Sequence, residues 1–128
     1  MKFNSLIPEL SVSNIETSLK FYKELGFKVM YERKEDKFYF IQLEKNQIML
    51  EEINNNWNTG KLEYPFGRGV NLSMTVSDID EFYKMVESKK IKLFEELKIS
   101  EYKVDNVVYE DKEFLIQDPD GYLLRFNN

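Results

Sequence analysis

LIPELSVSNI (residues 6–15) lies over VNLSMTVSDI (residues 70–79) with a shift of 64, and EDKFYFIQ (35–42) lies over EDKEFLIQ (110–117) with a shift of 75. In the first overlay Val12, Ser13 and Ile15 meet Val76, Ser77 and Ile79, with Asn14 over Asp78. GFKV (26–29) falls on KIKL (90–93) at the same shift. In the second overlay Glu, Asp, Lys, Ile and Gln coincide in order. The change of shift places an insertion of 11 residues between Leu93 and Glu110. Self-similarity of this kind is the signature of a tandem duplication, here of a unit of about 60 residues.

Each unit has the same pattern. Leu6, Pro8, Leu10 and Val12 alternate with Ile7, Glu9, Ser11 and Ser13, the period of a strand with one buried face. Val70, Leu72, Met74 and Val76 repeat that phase. A helix follows each strand. Asn14 or Ser13 can cap one bearing Ile15, Leu19, Tyr22 and Leu25 and closed by Gly26; Ser77 or Asp78 can cap one bearing Ile79, Phe82, Tyr83 and Val86. Three short β-rich runs complete each half: FKVMYER, KFYFIQL and QIMLEE, then IKLFEEL, EFLIQD and YLLRF. The expected fold is α+β, a single domain of two βαβββ units (about 1–53 and 69–128, joined by 54–68). The units form a curved mixed sheet with helices on one face and a ligand cleft on the other. The residue 54–69 connection and the residue 98–111 insertion both read as loops. Uncovered edge strands make a homodimer the expected assembly.

Composition narrows the chemistry. The 128 residues contain no Cys and no His, which excludes disulfides, Fe–S clusters, thiol catalysis and a Ser-His-Asp triad. A net charge of -5 argues against a nucleic-acid partner, whose phosphates need clustered Lys and Arg, and against anionic membrane surfaces. No apolar run reaches the ~18 residues of a membrane span, and the first residues lack a secretory apolar core, so a cytoplasmic location is expected. Asp118–Gly121 (DPDG) reads as a type I turn rather than a calcium loop. Gly67-Arg68-Gly69 is too short for a dinucleotide fingerprint, and no Walker A sequence is present.

The motifs SVSNIETSLKFYKELGFKV, VSDIDEFY and FLIQDPDGYLLRF, in this order and with the internal duplication, resemble the vicinal oxygen chelate superfamily over essentially the whole chain. That superfamily contains glyoxalase I, extradiol dioxygenases and bleomycin-resistance proteins, and the last of these is the nearest branch by resemblance. In its metal-dependent members the first and last strands of each unit supply His or Glu ligands. By resemblance those positions are Ile7, Leu50, Asn71 and Arg125. Ile7 and Leu50 have no donor, Asn71 offers a neutral amide oxygen, and a guanidinium 4 Å from a dication would be repelled by about 8 kcal/mol. No metal and no other cofactor is expected.

The resemblance then implies binding without chemistry: sequestration of a small aromatic or cationic molecule, with a glycopeptide antibiotic as one candidate ligand. The alternative is a glyoxalase-like lyase or dioxygenase with a rearranged metal site, and a third option uses Glu9, Glu52 or Tyr109 as a general acid or base. Candidate binding residues are Glu9, Glu52 and Glu110 for charge, and Phe38, Phe40, Trp57, Tyr64, Phe66, Tyr102 and Tyr109 for stacking. Leu50, Asn71 and Arg125 complete the lining. Phe38 and Phe40 also suit a strand core, Trp57 an interface anchor, and Arg125 and Glu9 an ion pair with each other. Glu110 stands where resistance proteins tend to place a stacking aromatic, with Tyr109 beside it.

Overall fold

A computed structural model describes residues 1–128. Contacts divide the chain into two compact units, Met1–Phe66 and Gly67–Asn128. The first contains β1 (Glu9–Val12), α1 (Ile15–Glu24), β2 (Lys28–Arg33), β3 (Phe38–Leu43) and β4 (Asn46–Glu52). The second contains β5 (Asn71–Thr75), α2 (Ile79–Ser88), β6 (Glu95–Val104), β7 (Val107–Gln117) and β8 (Leu123–Asn127). Each unit forms its own four-stranded mixed sheet, in the orders β1-β4-β3-β2 and β5-β8-β7-β6. In both, the first and last strands pair in parallel and the rest antiparallel. This is the α+β, twice-repeated βαβββ arrangement expected from the sequence.

The helices start where the caps predict. The Asn14 side chain accepts from the Thr17 N–H at 3.0 Å, and Asp78 accepts from Glu81 N–H at 3.1 Å, each satisfying one of the free donors of a first turn. A second carboxylate reinforces α1: Glu52, at the end of β4, accepts from the Ile15 N–H at 3.0 Å through Oε2. Its Oε1 accepts from Lys37 Nζ at 3.0 Å. The sheet is thereby tied to the positive end of the helix covering it. Below α1 lie Leu10, Val12, Ile41, Ile48 and Leu50, all buried. In the second unit Phe82 and Tyr83 of α2 pack against Phe114, with ring centroids 5.9 and 5.0 Å away, and Phe82 lies 4.8 Å from Phe126.

The DPDG segment is the expected turn: Gly121 N–H donates to Asp118 O at 2.9 Å. The buried Asp118 carboxylate accepts from the N–H groups of Asp120 and Tyr122. Gly67 must be glycine: its φ is +70° and a Cβ there would stand 2.7 Å from the Tyr122 ring.

The insertion differs from expectation. Residues 98–111 are not a loop; they extend β6 and β7 into a long hairpin that turns at Asp105 and Asn106, both with positive φ (49° and 67°). Two consecutive left-handed residues give the tight turn whose twist matches paired strands, and Asp and Asn tolerate that conformation. Tyr, Val and Ile on both sides supply strand-forming residues, a signal the polar residues among them obscured.

Two stability outcomes follow. Hydrogen bonds from Ile15 N–H and Lys37 hold the Glu52 carboxyl below its usual value of 4.5. The stabilisation is therefore complete above the unfolded value and is lost as pH falls through the lower folded one. Glu52→Gln should cost about 1 kcal/mol at pH 7 in denaturant titrations, with the difference from the parent shrinking as pH falls below 4.5. The Ser18 hydroxyl is buried without a hydrogen-bond partner. Ser18→Ala should thus raise the unfolding midpoint, by up to about 1 kcal/mol, in the same experiment.

Candidate functional site

Each sheet has its helix on one face, and the residues on the opposite face follow from the strand registers. In the first unit Arg33 pairs with Phe38, Tyr31 with Phe40, Phe40 with Met49 and Glu9 with Met49, which puts all of them on the helix-free side. Tyr31 stacks on Phe40 (5.3 Å, 10°), Phe3 meets Phe40 edge-on at 5.3 Å, and Tyr31 lies 5.8 Å from Phe38. Arg33 places its guanidinium carbon 3.8 Å from the centroid of the Phe38 ring. Glu51 shares the face because it pairs with Phe38 and with Ser11. Burial and the neighbouring Glu51 charge push the Glu9 carboxyl above 4.5, with Arg33 partly offsetting them. This face is therefore an aromatic floor with two mutually repelling carboxylates and one guanidinium.

The helix-free face of the second unit is a polar network. Arg125 donates through Nε to Asn71 Oδ1 at 3.0 Å and through a terminal nitrogen to Glu113 Oε2 at 3.2 Å. Asn127 donates to Ser73 Oγ at 2.8 Å and accepts from Thr75 Oγ1 at 2.7 Å. The alternative of an Arg125–Glu9 pair gives way to Glu113, which faces the same side of the adjacent strand because Leu115 pairs with Arg125. The Arg125 side chain remains 38 % exposed.

Of the residues expected to line a site, Glu9, Phe38 and Phe40 share one face, and Asn71 and Arg125 another. Phe38 and Phe40 are fully buried there, consistent with a core role. Leu50 and Glu52 belong to the helix side: Leu50 pairs with Leu10 in the core, and Glu52 pairs with Val12 and holds α1. Tyr102 and Tyr109 stack at 5.4 Å on the long hairpin, whereas Glu110 is on its other face. Phe66 is buried, Tyr64 exposed, and Trp57, 78 % exposed, adopts a left-handed backbone (φ 59°). Sequence reasoning missed Phe3, Tyr31, Arg33, Glu51 and Glu113. A β-bulge between Val29 and Tyr31 hides two of them by breaking the period-two count along β2.

The registers also correct one position in the comparison of the halves. Glu9 pairs with Met49 and Ser73 pairs with Arg125, so the counterpart of Arg125 is Met49, one residue before Leu50. The positions that metal-dependent relatives of the resembled family would use are thus Ile7 and Met49 in one unit and Asn71 and Arg125 in the other. The first pair offers a single thioether, a soft and weak donor. In the second, the amide oxygen of Asn71 already accepts from a permanent cation. Neither pair fits a divalent ion, and no three acidic side chains converge elsewhere. A shallow depression of about 350 Å³ near Glu35, Asp36, Lys37 and Glu52 offers nothing better, since Glu52 is engaged by Ile15 and Lys37.

Comparison with known proteins agrees with this architecture. The family model described as Glyoxalase/Bleomycin resistance protein/Dioxygenase superfamily matches residues 4–126. No curated protein sequence matches significantly. Among solved structures, TioX from Micromonospora sp. ML1 aligns with a TM-score of 0.76 at 12% identity over 98% of both chains. A glyoxalase/bleomycin resistance protein/dioxygenase from Alicyclobacillus acidocaldarius aligns at 0.68 and 20% identity, covering 97% of this chain and 89% of that one. A superfamily member from Vibrio splendidus 12B01 is 36% identical over 93% of both chains, with a TM-score of 0.44. With a family model spanning nearly all of its length and both βαβββ units in place, this chain belongs to the glyoxalase/bleomycin resistance protein/dioxygenase superfamily.

Proposed function

We propose that the protein binds a small aromatic or cationic molecule without a metal, in the manner of the bleomycin-resistance branch, and does not transform it. The observation that supports this most is the helix-free face of the first unit, where Glu9 and Glu51 crowd negative charge beside the Phe3, Tyr31, Phe38 and Phe40 cluster. A bound cation would offset the Glu51 charge that, after burial, raises the Glu9 carboxyl pKa, and would meet the exposed ring of Phe3. The protein already contains one such pairing: the Arg33 guanidinium lies on the Phe38 ring. On the second unit, Arg125, Asn71 and Asn127 fix hydrogen-bonding groups that can orient a polar ligand. The mismatch of the ligand positions with a divalent ion leaves recognition as the chemistry these faces support.

Isothermal titration with a bleomycin-type glycopeptide, with Trp57 fluorescence as a second probe, tests the antibiotic as ligand. Binding should weaken about tenfold in a Glu9→Gln/Glu51→Gln double variant and fall with added salt. Silence of the parent protein in both probes would remove this ligand. Because the raised Glu9 pKa penalises folding from the unfolded value of 4.5 upward, and in full above the folded one, Glu9→Gln should also stabilise the free protein at pH 7. At pH 3, where both states are protonated, it should have no effect, as read by thermal melts.

A further inference from the structure

We propose that the long hairpin of the second unit is an arm that pairs with the same arm of a second copy of this chain, through the free edge of β6 around a twofold axis at Tyr102. Six residue pairs, from Ile99–Lys112 to Val104–Val107, extend past the last pairing of β7 with β8 at Glu113–Asn127. That is roughly 20 Å of two-stranded ribbon. Such a ribbon is marginal by itself. This one also sets Glu101 directly opposite Glu110, a like-charge pair that disfavours it further. One of its faces is apolar, with Tyr102, Val104, Val107 and Tyr109 each 46 to 53% exposed, and the other sets Ile99 and Val108 among Glu101, Lys103, Glu110 and Lys112. β6 is the edge strand, with β7 as its sole partner in the sheet.

A second copy satisfies the edge better than any other occupant because the strand is complementary to itself. Antiparallel pairing about Tyr102 places Tyr102 against its own copy, continuing the stack already formed with Tyr109 at 5.4 Å. It places Ser100 opposite Val104, and Glu101 opposite Lys103 on both sides of the axis, so that each new cation meets the Glu101–Glu110 pair. The apolar face then runs on across the axis, with Tyr102 and Val104 of one copy beside those of the other.

The absence of cysteine makes the register testable by cross-linking. Ser100→Cys and Val104→Cys are made as separate variants, with circular dichroism to confirm that each folds. Opposed residues in an antiparallel pair have Cα atoms about 4.5–5.5 Å apart, within disulfide reach. Mixing the two variants under mild oxidation should give a covalent dimer, whereas either alone should not, since like positions lie roughly 13 Å apart along the pair. In sedimentation, Glu101→Lys and Lys103→Glu should each weaken the dimer about tenfold, and the double exchange should restore it. A monomeric parent protein at 100 μM (~1.5 mg/ml) would overturn the proposal. So would a dimer whose mixed variants do not cross-link, which would place the interface, or a different partner, elsewhere.

Discussion

A ten-residue helix can shield one face of a four-stranded sheet and no more. It is about 15 Å long, near the width of four strands at their usual spacing. The remaining face of each unit must find its own solution, and that constraint organises the rest of the molecule. In the first unit the uncovered face is filled by aromatic rings, with Phe3 and Tyr31 laid over Phe38 and Phe40. In the second it is satisfied by hydrogen bonds, with Arg125, Asn71, Glu113, Asn127, Ser73 and Thr75 pairing among themselves. Two copies of one topology have thus diverged in the chemistry of the same geometric face. The helix sides remain alike: a side-chain cap at the N-terminus and an apolar stripe over alternating strand residues.

Most of this was open to inspection in the primary structure where the pattern is regular. The phase shared by residues 6–12 and 70–76, the caps at Asn14 and Asp78 and the DPDG turn all rest on local rules that the tertiary contacts left intact. The repeat failed by one residue where it mattered for the site. The EDK…IQ match aligns β3 with β7, but β4 and β8 are offset by one further residue, so Met49 and not Leu50 corresponds to Arg125. A single step along a strand exchanges the two faces, which sent Leu50 and Glu52 to the wrong side of the sheet. Arg33 and Tyr31 were hidden by a bulge, and Phe3 lies in a segment with no regular period at all. The hairpin was misread for a different reason. Its charged residues, Glu101, Lys103, Glu110 and Asp111, resemble a loop in composition, while the strand signal lies in the Tyr and Val residues between them.

These corrections sharpen the functional argument. Once Glu52 is seen to hold the first turn of α1, the acidic character of the helix-free face falls to Glu9 and Glu51; burial first, and the Glu51 charge second, raise the Glu9 pKa. Moving the counterpart of Arg125 to Met49 replaces an inert position with a weak sulfur donor and leaves the donor set as poor for a divalent ion as before. Arg125 is fixed by a carboxylate and an amide of its own unit, so its charge is positioned without any ligand.

Elemental analysis is the most direct measurement of the central claim, that these faces recognise molecules through charge and aromatic surface and not through a bound ion. The protein would be incubated with excess Mn²⁺, Fe²⁺, Ni²⁺ and Zn²⁺ in turn, desalted, and assayed for metal per chain. The account predicts far less than one equivalent in every case. One equivalent of a divalent metal that survives desalting and is lost in a Met49→Ala or Asn71→Ala variant would contradict it.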